Sequence, residues 1–232
     1  AQGDLQADKT IFQHEGSSVH PIRQKGPHAH SSLFAPDCPL MFVPDLGMDK
    51  VVAYRYDGAS VCVDEDATIT VERGCGPRYG EFAPNGKDFY LINEIGSRVM
   101  HYRYSAGNMT LCEETSTLPY GFTGENICSD LHITADGKFL YASNRGHDSI
   151  TAYHILEDGS LAWIECQPSG GKTPRNFALD RTGRYLLAAL VGGVVVVYAF
   201  GFVIQSALTG APLAAVALAS MGFVVGDAIK AV

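Results

Sequence analysis

The sequence predicts an all-β fold of the β-propeller type, on three observations. Four segments recur with spacings of 48, 51 and 46 residues between equivalent positions. A turn residue stands at a fixed place in each, and strand-like runs with period two flank it. A unit of this length holding several short antiparallel strands matches a four-stranded propeller blade.

The four segments are FAPDCPLMFVPDLG (34–47), FAPNGKDFYLINEIG (82–96), ITADGKFLYASNRG (133–146) and ALDRTGRYLLAAL (178–190). Each has an apolar pair, a polar turn and a second strand-like run. Gly86, Gly137 and Gly183 occupy the turn, with Cys38 in the equivalent place. Asn-Gly, Asp-Gly and Thr-Gly supply residues that tolerate φ > 0 in a tight hairpin. The runs KVVAYRY, SRVMHYRY and DSITAYHI follow, alternating apolar and polar as half-buried strands do. Further turns are expected at DGAS, SAGN and EDGS. Residues 1–190 thus hold about four blades, one domain of this reading.

The chain has 232 residues and a net charge of −8. After Arg184 only Asp227 and Lys230 are charged, so the whole negative excess lies in residues 1–190. An acidic surface of this kind argues against nucleic acid as a partner. It leaves room for a small anionic substrate at a locally basic site. Six cysteines lie far apart without C-x-x-C pairs or zinc-finger histidine spacing. The opening AQGDLQADKT is polar and has no apolar run of a secretory signal. Free thiols in a reducing, cytoplasmic compartment are the expectation for residues 1–190.

Several motifs carry a resemblance. HEGSSVHPIRQKGPHAHSS, VPDLGMDKVVAYRY, GCGPRYGEFAPNGKDFYLINE, DLHITADGKFLYASNRGHDSITAY and GGKTPRNFALDRTGRYLLAA resemble the lactonase family of β-propellers, over nearly all of residues 10–190. That family includes cycloisomerase-type 6-phosphogluconolactonases and carboxymuconate cyclases, and its members have about seven blades. The resemblance implies a lactone hydrolase acting on a sugar lactone, with no cofactor. It also implies that this chain starts in a middle blade and stops before the last ones, so that activity depends on whether the ring closes.

Lactone hydrolysis needs a base for water and donors for the developing oxyanion. A phosphorylated lactone also needs Arg or Lys for its phosphate. His28 and His30 lie two apart in H-A-H, as do Asp130 and His132, so each pair shares a strand face. Glu94 ends one repeat strand, Arg145 ends another in N-R-G-H, Arg78 lies in G-P-R-Y and Arg175 in T-P-R-N-F. With the resemblance, Glu94, His30 and Asp130 are the expected catalytic groups. His28, Arg78, His132, Arg145 and Arg175 are the expected substrate-binding groups. The bland readings are structural: a hydrogen-bonded histidine pair, a strand-capping Glu94, arginines on backbone carbonyls. The family motif reads G-P-R-H where this chain has Tyr79, and a tyrosine titrating near 10 cannot replace a histidine at neutral pH. GGKT (170–173) lacks the first glycine of a phosphate loop, since Cys166 stands there, and reads as a turn between blades. No metal is expected. His28, His30 and Asp130 have the chemistry of ligands, but their spacing does not dictate a site.

The last segment is of another kind. Residues 186–208 are long and apolar enough for a membrane helix. Thr209-Gly210-Ala211-Pro212 reads as a turn, and residues 213–231 supply a second pass or a half-buried helix. The other reading makes 185–190 and 194–200 two strands of the fourth blade, turning at Gly192-Gly193. LVGGVVVVYAFG and VGDAIKAV resemble the C-terminal part of the membrane subunit of bacterial biotin transporters. That resemblance implies a joined, chimera-like chain in which residues 191–232 are helical and membrane-associated. Asp227 and Lys230 then share one helix face toward a substrate pocket. Three function classes follow: a lactonase, a transporter component through the tail alone, and a non-catalytic propeller scaffold.

Overall fold

The computed structural model describes residues 10–189, apart from 59, 181, 182 and 184. The first four-stranded antiparallel sheet runs in chain order β1 (Leu33–Phe34), β2 (Leu40–Asp45), β3 (Lys50–Tyr56), β4 (Val61–Thr70). The second holds β5 (Pro77–Phe82), β6 (Asp88–Asn93), β7 (Arg98–Ser105) and β8 (Asn108–Ser116). The third holds β9 (Ile127–Ile133), β10 (Phe139–Arg145), β11 (Ser149–Ile155) and β12 (Leu161–Pro168). A hairpin of β13 (Asn176–Leu179) and β14 (Leu186–Ala189) begins a fourth.

The hairpins repeat to the hydrogen bond. Ala83 N–H donates to Asp88 O at 2.8 Å, Thr134 to Phe139 at 2.9 Å and Asp180 to Tyr185 at 3.0 Å. Gly86, Gly137 and Gly183 then donate to the carbonyls of Ala83, Thr134 and Asp180. Their φ values are 65°, 71° and 67°, the left-handed region that favours glycine. The first sheet has the Ala35 N–H to Leu40 O bond, but Cys38 is not among the residues with positive φ, and it tightens the turn through Leu40 N–H instead. Gly86 faces Pro36 and Gly137 faces Pro84, so each turn stacks on the turn of the blade before it.

The alternating runs β3, β7 and β11 do not leave one face open to water: most of their residues are buried, and in β7 Met100 and Val99 enter two different cores. Strand β6 shows the same division. All six residues of β6 are buried. Phe89 and Leu91 enter a core shared with Leu40, Phe42 and Val51 of the first sheet. Tyr90 and Ile92 enter a second core with Leu131, Leu140 and Tyr153 of the third. Period two here separates two neighbouring blades, not core from water. Each such side chain contributes roughly 1.5–3 kcal/mol through burial. The fourth strands β4, β8 and β12 are largely exposed, whereas the first strands β5, β9 and β13 approach one another in succession. The sheets therefore pack face to face in chain order, with β5 against β9 and β9 against β13.

Residues 186–189, the expected start of a membrane span, are strand β14 paired to β13 from Leu186↔Leu179 to Ala189↔Asn176. Their backbone groups are already used in the hairpin, so a helix there is excluded. The expected helices over 191–232, with Asp227 and Lys230, lie outside the described residues. Among the described residues no helix is long and apolar enough to cross a membrane.

Candidate functional site

The repeat explains which side chains meet. Asp45, Asn93 and Asn144 are equivalent, each pairing with the first residue of the next strand. The residues after them are Leu46, Glu94 and Arg145. Counting back five residues from the hairpin donors Ala35, Ala83, Thr134 and Asp180 gives His30, Arg78, Ser129 and Arg175. Glu94 and Arg145 therefore stand at one level of successive blades. His30, Arg78 and Arg175 occupy the same position in the repeat, just before or within the first strand of their blades.

Glu94 is the centre. Its side chain is 1% exposed and meets three guanidinium groups. Arg78 Nε lies 2.8 Å from Oε2 and Arg145 Nη2 lies 3.0 Å from it, while Arg23 holds Oε1. A buried carboxylate needs such pairing, but three cations to one anion leave the site positive in an acidic chain. Arg78 and Arg145 are anchored by backbone carbonyls as well, those of Ser129 and Cys128. Burial holds both guanidinium groups below the usual arginine range, and Glu94 offsets part of that. Arg175 also acts on both as a like charge. The Nε atoms of Arg23, Arg78 and Arg145 are buried without a well-directed hydrogen bond, as is Glu94 Oε2.

His30 sits beside Arg78. Its backbone N–H donates to Pro44 O at 3.1 Å, and its Nδ1 lies 2.9 Å from His28 O. A carbonyl only accepts, so Nδ1 carries the proton and Nε2 keeps a lone pair. Partial desolvation, and then the charge of Arg78, hold this imidazole below the usual histidine range although the residue is exposed. His28 is exposed too, and its N–H is fixed by buried Asp45 at 2.7 Å.

Asp130 is buried and accepts from Asn176 Nδ2 at 2.6 Å and Phe177 N–H at 3.1 Å, joining the third blade to the fourth. His132 shares its face, with Nε2 3.3 Å from Asp130 and Nδ1 3.2 Å from Glu81. Burial alone would lower the His132 pKa, but the two carboxylates outweigh it and bring it to about 10. His132 is therefore a cation at neutral pH, a donor and not a base. Tyr79 packs edge-on against it, and burial with the nearby Glu81 and Asp130 raises the phenol further. Among the described residues no group of three or more His, Cys, Asp or Glu gathers as a metal would need. His28, His30 and Asp130 form no such set. All six cysteines are unpaired.

Glu94, Arg78, Arg145 and His30 are thus drawn together, with Arg175 acting on the two arginines. Asp130 and His132 form a second pair between the third and fourth blades. Arg23 is the residue that sequence reasoning passed over. It lies in the HEGSSVHPIRQKG stretch ahead of the repeat, so no periodicity marked it. Gln24 beside it is fully buried and pins the loop through Leu46 O at 2.8 Å.

A family model described as "Lactonase, 7-bladed beta-propeller" matches residues 1–199. The chain belongs to this lactonase family. The match continues nine residues past the boundary expected at 190. The lactonase-family chain is 34% identical over 191 residues to the 6-phosphogluconolactonase of Bacillus subtilis strain 168, covering 81% of this chain and 54% of that one. It is 34% identical to the Klebsiella pneumoniae 6-phosphogluconolactonase, covering 69% and 49%. The solved structure of the Pseudomonas aeruginosa periplasmic gluconolactonase PpgL matches with a TM-score of 0.75 and 33% identity, over 79% of this chain and 52% of that one. A putative 6-phosphogluconolactonase of Bacteroides fragilis matches with a TM-score of 0.73 and 30% identity, over 79% and 53%. The chain spans about half the length of these relatives.

Proposed function

We propose that the arginine cluster around Glu94 is the anion-recognising part of a sugar-lactone hydrolase site of the 6-phosphogluconolactonase type. The observation that carries the reading is the excess of positive charge around buried Glu94, against an overall charge of −8. The names of the relatives support the substrate class. Water adds to the lactone carbonyl, the carbonyl oxygen becomes an oxyanion, and the ring C–O bond breaks to give the hydroxy acid. His30 Nε2 takes the proton from water and returns it to the departing ring oxygen. Arg78 and Arg145 stabilise the oxyanion in a site where charge is weakly screened. Arg175 holds the phosphate, because a planar fork grips it through two hydrogen bonds. Glu94, engaged on both oxygens, acts by holding the arginines in place. Protonated His132, with its two ring N–H groups on Asp130 and Glu81, braces the neighbouring blades, and exposed His28 meets the sugar hydroxyls.

The test compares the parent, Arg175→Lys and Arg175→Ala on 6-phosphogluconolactone and on unphosphorylated gluconolactone. Loss of a charge-assisted hydrogen bond costs about 1.5–3 kcal/mol, roughly tenfold to more than a hundredfold in affinity. That loss is expected on the phosphorylated substrate alone. Equal loss on both makes Arg175 structural. Absence of turnover and of 6-phosphogluconate binding in the parent overturns the reading.

A further inference from the structure

Three turns share one geometry. Asp49, Ser97 and Asp148 immediately precede β3, β7 and β11, with φ of 54°, 49° and 57°. Their carbonyls accept from Val71, Thr117 and Ser169 N–H at 2.9, 3.0 and 2.9 Å. Each turn thus catches the chain as it leaves the outer strand for the next blade.

The side chains differ, and the difference tracks the arginines. Asp49 accepts Gly74 N–H on Oδ2 and Gly76 N–H on Oδ1, both at 2.7 Å. Asp148 Oδ1 accepts Thr173 N–H at 2.8 Å. Gly76 begins Gly76-Pro77-Arg78 and Thr173 begins Thr173-Pro174-Arg175. Both leading residues have positive φ, 65° and 52°, and the prolines fix the next φ. Where Ser97 replaces the aspartate, its hydroxyl reaches Asn126, and Ser129 stands in the arginine's place.

We infer that Asp49 and Asp148 are positioning residues that set where Arg78 and Arg175 enter the site. A carboxylate gripping the N–H two residues ahead, followed by a proline, leaves the chain little freedom before the arginine. The pattern is aspartate latch with arginine, serine latch without it. The consequence for catalysis rests on the function proposed above.

Asp148→Ser copies the turn residue of the second blade and keeps its backbone geometry, but its side chain is too short to hold Thr173. Asp148→Asn retains an acceptor at the same reach. Crystal structures of both give the place of Arg175, and kinetics give KM for 6-phosphogluconolactone and gluconolactone. In Asp148→Ser, Arg175 is expected to shift by about 1 Å or more, a misplacement that matters to catalysis. Its KM for the phosphorylated lactone is expected to rise about tenfold more than for the neutral one, the equivalent of about one hydrogen bond. Asp148→Asn is expected to restore most of both. Arg175 unmoved in Asp148→Ser overturns the inference whatever the kinetics. Arg175 moved with an unchanged ratio of KM values upholds the positioning and refutes the phosphate role of Arg175.

Discussion

Replacing Glu94 with Gln keeps the shape of the side chain and removes its charge. Arg78 and Arg145 have side chains only 12% and 10% exposed, and Arg23 is 37% exposed. Breaking a buried ion pair by removing one partner costs about 3–5 kcal/mol, because the other charge stays buried. The carbonyls of Ser129 and Cys128 still accept from Arg78 and Arg145, and Arg23 can turn to water. The lower end, about 3 kcal/mol, is therefore expected. At about 2–4 °C per kcal/mol for a chain of this size, Tm falls by roughly 6–12 °C. An anion that enters the cluster replaces the lost carboxylate. Inorganic phosphate should then raise the Tm of Glu94→Gln by more than it raises the parent's, because a ligand bound only by the folded state stabilises it. The parent controls for the general stabilisation that phosphate gives through exclusion from protein surfaces. Thermal unfolding of both proteins with and without phosphate measures this. A Glu94→Gln protein as stable as the parent, or no extra gain from phosphate, refutes the arginine cluster as an anion site.

Two further outcomes are expected. His132 has its pKa raised from 6.5 to about 10, so its ion pairs are fully present below about pH 6.5, weaken as pH rises and are lost through pH 10. The stability difference between parent and His132→Gln, about 1–3 kcal/mol by urea unfolding near pH 6, should shrink as pH rises toward 10, and a constant difference contradicts the assignment. Thr173 is β-branched at φ 52°, its buried hydroxyl has no hydrogen-bond partner, and the equivalent residue is Gly76. Thr173→Gly should raise Tm by about 2–6 °C, since relief of left-handed strain exceeds the entropy cost of glycine. Gly76→Thr should do the reverse, because its Cβ would meet Ile95 at 2.9 Å, and unchanged melting in both variants denies the equivalence.

What was legible in the sequence follows from what the backbone demands locally. Gly86, Gly137 and Gly183 mark hairpins because φ near 70° is costly for other residues, and that cost is written residue by residue. Glu94 and Arg145 were legible as strand-end residues for the same reason: the repeat gives them one address in successive blades. Period two, by contrast, says only that a strand has two unlike faces. It does not say that neighbours such as Met100 and Val99 of β7 face two different cores, one toward each neighbouring blade. Arg23 was not legible because its partner is 71 residues away and its own segment lies ahead of the repeat. The latches of Asp49 and Asp148 were hidden differently. Their backbone geometry is common to all three turns, while the side chain that matters changes to Ser97 in the middle one. Local conformational cost is thus recorded alike in the blades whose hairpins carry glycine, whereas the chemistry is recorded where one blade departs from the others. Glu94 and Arg145, set where the first blade has Leu46, are such departures, and they meet because the fold superposes the addresses at which the blades differ.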